Sequence, residues 1–297
     1  MDMLNKKLQM PEVVVKKKSE RTFIQRIGKA GLYVTLIGIA IIQLFPIYWL
    51  ALFSLKSNYE IFNLSPLALP QELRFENYIK VWTEGNIATY FFNSVFYTVA
   101  SVILTILLAS MVTFAITRLQ WRGNKLVLGL FMLGLMIPIH STLIPLFNTY
   151  TTIGLINHPL SLILSYTAFN MPVTIMILLG FYEALPHEIE EAAIIDGASI
   201  HQIFSRITLP MTAPVIATAS IINMIYNWNE FVFVNTFISA DELKTLTVGI
   251  QNFIGQYSTD WGAIGATLMF SIIPILIIFL VLSDRIVEGI AAGSVKG

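Results

Sequence analysis

The 297-residue chain contains no cysteine. That absence excludes disulfides, iron–sulfur clusters and thiolate nucleophiles. Charge is scarce as well: 12% of residues are Asp, Glu, Lys or Arg, about half of the roughly 25% found in soluble domains. So few charges cannot cover a globular surface, and lipid must replace water over much of it. Acidic and basic residues cancel to a net charge of +0, which argues against nucleic acid as a partner. There is no G-x-x-x-x-G-K-[ST] loop to cradle ATP phosphates. His140, His158, His187 and His201 show no metal-binding spacing, and no catalytic triad emerges. These absences describe a non-catalytic chain with no cofactor of its own.

Apolar residues, at 56%, are what the sequence has in excess. A membrane core needs about 20 helical residues to cross, and six stretches meet that length: 31–53, 94–116, 125–150, 160–182, 213–238 and 262–282. None reads in the ten-residue pulses of a membrane barrel. The expected fold is therefore an all-α polytopic membrane protein with six transmembrane helices. The first apolar stretch is longer than a signal-peptide core and lacks a small-x-small cleavage site, so it reads as a retained helix.

Basic residues set the orientation. With the N-terminus inside, that side holds Lys6, Lys7, Lys16, Lys17, Lys18, Arg21, Arg26, Lys29, Arg118, Arg122, Lys125, Arg206, Arg285 and Lys296. The other side holds only Lys56, Arg74, Lys80 and Lys244. The positive-inside rule then places both termini in the cytoplasm. Tyr48, Trp49, Trp121, Tyr150 and Trp261 stand near span ends, where interfacial anchoring and ordinary packing are both open readings.

The outer connections are too small for a catalytic or receptor domain. The longest, 54–93, is turn-rich at "LSPLALP", with a short interfacial helix expected over 72–82. On the inside, residues 183–212 read "EALPHEIEEAAIIDGASIHQIFSRITLPMT". Pro186 suits a helix first turn, and Glu188, Glu190 and Glu191 suit its positive end. Gly197 interrupts that helix. Ser199 stands at capping-box spacing from Gln202 and opens a second helix, which Pro210 is expected to limit. Partner docking and simple packing beneath the bundle both fit this helix–turn–helix.

Within this loop, "EAAIIDGASIHQIFSRITLP" (191–210) resembles the EAA signature of bacterial ABC-importer permeases. The likeness extends to MalG-like carbohydrate permeases through "SLKSNYEIF", "ENYIKVW", "GFYEALPHEIEEAA", "NWNEF" and the closing "EGIAAGSVKG". It leaves out the segment before Arg26. The resemblance implies an ABC importer type I permease fold in a bacterial cytoplasmic membrane. It implies a second, MalF-like permease, two cytoplasmic ATPases that bind the ATP and Mg, an extracytoplasmic sugar-binding protein and a carbohydrate substrate. On this pattern 1–30 is a cytoplasmic tail, 31–283 the permease domain with its coupling loop at 183–212, and 284–297 a second cytoplasmic tail. Glu191, Ala192, Asp196, Gly197 and Ala198 match the ATPase-coupling positions. Val295, Lys296 and Gly297 match a tail that contacts the ATPases in relatives.

A carbohydrate path needs hydrogen-bonding groups and flat apolar faces. Asn223, Asn227 and Glu230, four and three apart, would share one face of the fifth span. They either line the path or hydrogen-bond neighbouring helices to fix their packing. Pro138 and Pro145 flank His140, Ser141 and Thr142 in the third span, and Pro172 follows Asn170 in the fourth. Each site reads as a gate or as an ordinary kink. Two other functions fit parts of the pattern: an ion-driven transporter using Glu230, and a scaffold that recruits a partner through the inner loop.

Overall fold

Each apolar stretch becomes helix, because inside a bilayer only a helix satisfies every backbone donor and acceptor within one segment. In order these are α1 (Val13–Ser54), α2 (Asn58–Asn63), α3 (Glu76–Glu84), α4 (Ile87–Arg118), α5 (Asn124–Gly134), α6 (Leu143–Thr152), α7 (Pro159–Tyr182), α8 (His187–Ile195), α9 (Ile200–Met211), α10 (Ala213–Trp228), α11 (Val232–Phe237) and α12 (Trp261–Ser294). The computed structural model describes residues 13–119, 121–255 and 259–294, with side chains for 28–119, 121–255 and 259–281. Among them the sole β pairing is an isolated bridge between Ile254 and Thr259.

Four unbroken helices are long and apolar enough to cross a membrane, and two bent helix pairs raise the number to as many as six. The third span is not the single helix expected over 125–150. Its halves α5 and α6 meet at 95° around a 3-10 turn, Ile139–Thr142. Pro138 has no N–H to give and disfavours helical geometry at Ile137, which ends α5. Pro145 lies in the first turn of α6, where that loss is harmless. The fifth span is also interrupted, because α10 stops at Trp228 and α11 begins at Val232. In the outer connection α3 starts at Glu76, four residues later than expected.

The bundle is organised around α4 and α7. Along α4, Ser94, Thr98, Ser101, Thr105 and Ala109 form one buried stripe, at the spacing of a single helical face. Ser161, Ser165, Thr167 and Thr174 are buried small residues of α7. Small side chains let two backbones approach closely, which is how helices associate when lipid removes the hydrophobic drive. Ser101 Oγ returns a hydrogen bond to Tyr97 O at 2.6 Å, so its hydroxyl needs no outside partner. Tyr150, for which anchoring and packing were both open, is buried, with its hydroxyl 2.9 Å from Ser165 Oγ.

By contrast α1 packs chiefly on α12 and leaves Ile37, Ile41, Ile42 and Leu44 exposed. Its docking depends on Gly265, where a Cβ would sit 2.7 Å from Phe53 Cδ1 and 2.9 Å from Ser54 Cα. Backbone at that distance cannot yield as a flexible side chain would. Gly265→Val is expected to cost about 1–3 kcal/mol through overpacking, read as a lower melting temperature in detergent. An unchanged melting temperature would show that α1 is not seated there.

The connection after α1 is tied by Glu60. Its Oε2 accepts from Ser57 N–H at 2.9 Å, and its Oε1 from Gln71 N–H at 2.7 Å. The Ser57 backbone bond, followed by that from Gln71, holds the Glu60 carboxyl below its ordinary value of 4.5 despite burial. A depressed folded value means the carboxylate stabilises the loop above the unfolded pKa, and this is lost as pH falls through the folded one. Amide protection at Ser57 and Gln71 should therefore decline below about pH 4.5. Glu60→Gln should flatten that dependence; an unaltered profile would assign the transition to another group.

Candidate functional site

Residues 183–212 fold as a helical hairpin. Pro186 caps α8, with Glu188 and Glu190 in its first turn, where the helix dipole favours negative charge. At its end Gly197 N–H reaches Ile194 O at 3.0 Å and Ala198 N–H reaches Ala193 O at 2.9 Å, the paired bonds of a Schellman cap. The cap needs a left-handed residue, and Gly197 supplies it with φ +81. Gln202 Oε1 then accepts Ser199 N–H at 2.7 Å, the capping-box contact that opens α9. Pro210 does not end that helix as expected. Residues Ile203–Thr208 widen into a π-helix, a looser winding that accommodates the missing donor. The chain bends by 74° only beyond Met211, entering α10.

Arg118, the last residue of α4, anchors the hairpin. Its side chain is 2% exposed, and its Nε lies 3.2 Å from Glu190 Oε1. Nη1 donates to the His187 ring, whose Nδ1 is at 2.8 Å. Nη2 donates to Tyr182 O at 2.6 Å and Leu185 O at 3.0 Å. Glu190 Oε1 also accepts from Thr208 Oγ1 at 3.3 Å. One guanidinium therefore joins α4, the end of α7, α8 and, through Glu190, α9. Arg118 entered the sequence reading only as a marker of orientation. No local pattern links positions 118 and 190, so this role could not be read from the chain.

The hairpin's two faces differ. Ala193 and Ile203 enter a buried cluster with Phe114, Ile175 and Leu178. On the other face Ile194 and Ile200 are exposed, and Ile195 is 85% exposed. The candidate residues Glu191, Ala192, Asp196 and Gly197 lie on this open side, with Ala198 half-buried beside them. Neighbouring glutamates thus divide the work: Glu190 faces inward to Arg118, and Glu191 faces out.

The second constellation is a cavity of about 310 Å³ between α7, α10 and the α5–α6 turn. Asn223, Asn227 and Glu230 all line it, together with Tyr166, Phe169, Asn170, Tyr226, Phe233 and Ile139. The three candidates are brought together, but Glu230 lies beyond the end of α10 and not on the helical face expected for it. Asn223 Nδ2 donates to Thr174 Oγ1 at 2.9 Å. Asn227 Oδ1 accepts from Asn170 Nδ2 at 2.7 Å. Glu230 Oε1 accepts from Phe233 N–H at 2.8 Å, and its Oε2 from Tyr166 OH at 3.1 Å. Val234 N–H reaches the same Oε2 at 3.3 Å. Glu230 therefore caps α11, which explains why the fifth span breaks where it does. The cavity-lining Tyr166 and Asn170 come from α7, far away in sequence. Trp228 points elsewhere, donating to Ser271 O on α12 at 3.0 Å. Val295, Lys296 and Gly297 lie outside the described residues.

Residues 101–292 match the family described as "Binding-protein-dependent transport system inner membrane component". The chain is 34% identical to the probable ABC transporter permease protein YurM of Bacillus subtilis (strain 168), over 96% of this chain and 94% of that one. It is also 34% identical to the diacetylchitobiose uptake system permease protein NgcG of Streptomyces coelicolor (strain ATCC BAA-471 / A3(2) / M145), over 86% and 85%. A crystal structure of a bacterial ABC transporter involved in import of the acidic polysaccharide alginate contains a chain of the same fold. The TM-score is 0.75 at 23% identity, covering 87% of this chain and 96% of that one.

Proposed function

The chain belongs to the family of binding-protein-dependent transport system inner membrane components, and from that membership we propose that it is the MalG-like half of a two-permease sugar pathway. It is a membrane permease subunit of an ABC-type carbohydrate import system. Members of this family are non-catalytic, and the hydrolysis of ATP with Mg belongs to separate ATPase chains. The proposed assembly pairs this chain with a MalF-like permease, two cytoplasmic ATPases and an extracytoplasmic sugar-binding protein. Its site is a bacterial cytoplasmic membrane, with both termini and the 183–212 loop inside.

The observation that carries this reading is the hairpin, clamped at its base by Arg118 and bare at its tip. The exposed Ile194, Ile195 and Ile200, beside the small residues Ala192 and Gly197, suit a cleft on a cytoplasmic ATPase. Closure of two ATPases on ATP would push α8, and the Arg118 anchor would pass that push to α4 and α7. Asn223, Asn227 and Glu230 would then line the path that opens. The tail Val295, Lys296 and Gly297 would add a second ATPase contact. The test is uptake of labelled sugar by proteoliposomes holding both permeases and the ATPases. Accumulation should require ATP and the binding protein. Uptake driven by an ion gradient without the ATPases would overturn the reading, as would a complex that binds ATPase yet moves no sugar.

A further inference from the structure

The cavity beside α10 carries more detail than a pathway wall requires. We propose that it is a subsite for one uncharged sugar ring, so that this chain itself holds the substrate in transit. The inference rests on the importer reading and adds to it the location and charge class of the cargo.

Three observations converge. At about 310 Å³ the cavity lies at the lower end of the about 300–1,000 Å³ of small-molecule pockets, which is room for a sugar ring. Its lining includes four aromatic side chains, Tyr166, Phe169, Tyr226 and Phe233. Such faces suit the C–H side of a pyranose. The third observation is Asn227, which is 6% exposed. Its Oδ1 is engaged by Asn170, but its Nδ2 has no acceptor among the described residues. A buried donor left unpaired is costly and rare. Asn227 lines the cavity, so a small rotation of its side chain would turn that nitrogen toward an oxygen of the occupant: a sugar hydroxyl or an acetamido carbonyl.

The charge class follows from what lines the walls. Glu230 is the sole ionisable carboxyl among the described lining residues, and none of them is Lys, Arg or His. Its oxygens already accept from Tyr166, Phe233 and Val234. A uronate would bring a negative charge into a site with no cation to offset it, which costs far more than placing a neutral ring there. The fold shared with an importer of an acidic polysaccharide therefore does not extend to the cargo.

The absence of cysteine makes the test direct. Tyr226→Cys puts a single thiol of this chain at the cavity of the assembled importer. The unmodified complex is first given a panel of uncharged mono- to pentasaccharides, diacetylchitobiose among them, and alginate oligosaccharides. A complex that accumulates nothing with ATP and binding protein overturns the importer reading and this inference with it. For a transported sugar, maleimide labelling of the Tyr226→Cys thiol should slow when the sugar is present. Asn227→Leu removes the donor at similar volume without adding a charge. It should raise the uptake KM about tenfold, the effect of one hydrogen bond. Transport of alginate oligosaccharides would overturn the charge class. A transported sugar that neither slows labelling nor depends on Asn227 would remove the subsite from this chain while leaving the importer reading intact.

Discussion

Arg118→Met is expected to release the 183–212 hairpin from the bundle. The substitution keeps the helix-forming stem and removes the guanidinium. Glu190 is then left 13% exposed without its counter-charge, and the carbonyls of Tyr182 and Leu185 lose their donor. Breaking a buried pair from one side costs about 3–5 kcal/mol, because the remaining charge stays buried and unmatched. A lower melting temperature and loss of sugar uptake are the expected readouts. Arg118→Lys should recover part of the stability, since one ammonium cannot reach Glu190, His187 and two carbonyls in the fork a guanidinium offers. Glu190→Gln should also destabilise, since it leaves the Arg118 guanidinium, 2% exposed, without its counter-charge. If Arg118→Met melts and transports like the wild type, the anchor is ornamental and force must reach α4 by another route.

Gly197→Val should separate the ATPases from the membrane subunit. At φ +81 an L-residue is strained, costing about 1–2 kcal/mol, and a β-branched one fares worse. Within this chain the cost is backbone alone, because a Cβ at Gly197 meets nothing within 4 Å. Gly197→Asn separates strain from fit, since asparagine tolerates the left-handed region. If the ATPase surface closes on Gly197, Asn should keep the hairpin's thermal stability and still lose ATPase co-purification, with Val losing both. An Asn variant that co-purifies and couples hydrolysis to uptake like the wild type would reduce Gly197 to a helix cap with no docking role.

Both substitutions act on one loop, yet only one of them was legible in the chain. Gly197 is visible because a helix cap is local: the residue, its left-handed turn and the Ser199–Gln202 box all lie within a few positions. Arg118 was visible as a charge and invisible as an anchor, because its partners stand at 182–190. The breaks in the third and fifth spans divide in the same way. Pro138 announces a bend through its missing donor, but its 95° size depends on what α5 and α6 pack against. The end of α10 depends on Glu230 turning to cap α11, where spacing alone had kept it on the helical face.

Composition and periodicity by themselves determined the solvent, the helical class, the count of apolar segments and the position of the 183–212 hairpin along the chain. Each follows from a rule acting along the chain: burial of backbone polar groups in lipid, the run length of apolar residues, and capping. Only the tertiary structure decided which glutamate faces the protein, which residues of α7 join Asn223, Asn227 and Glu230 around a cavity, and which amide is left without a partner. Those are properties of distances between segments far apart in sequence. They are fixed by the close packing of α4 on α7, and a one-dimensional pattern carries no record of which side chains that packing brings within hydrogen-bond reach.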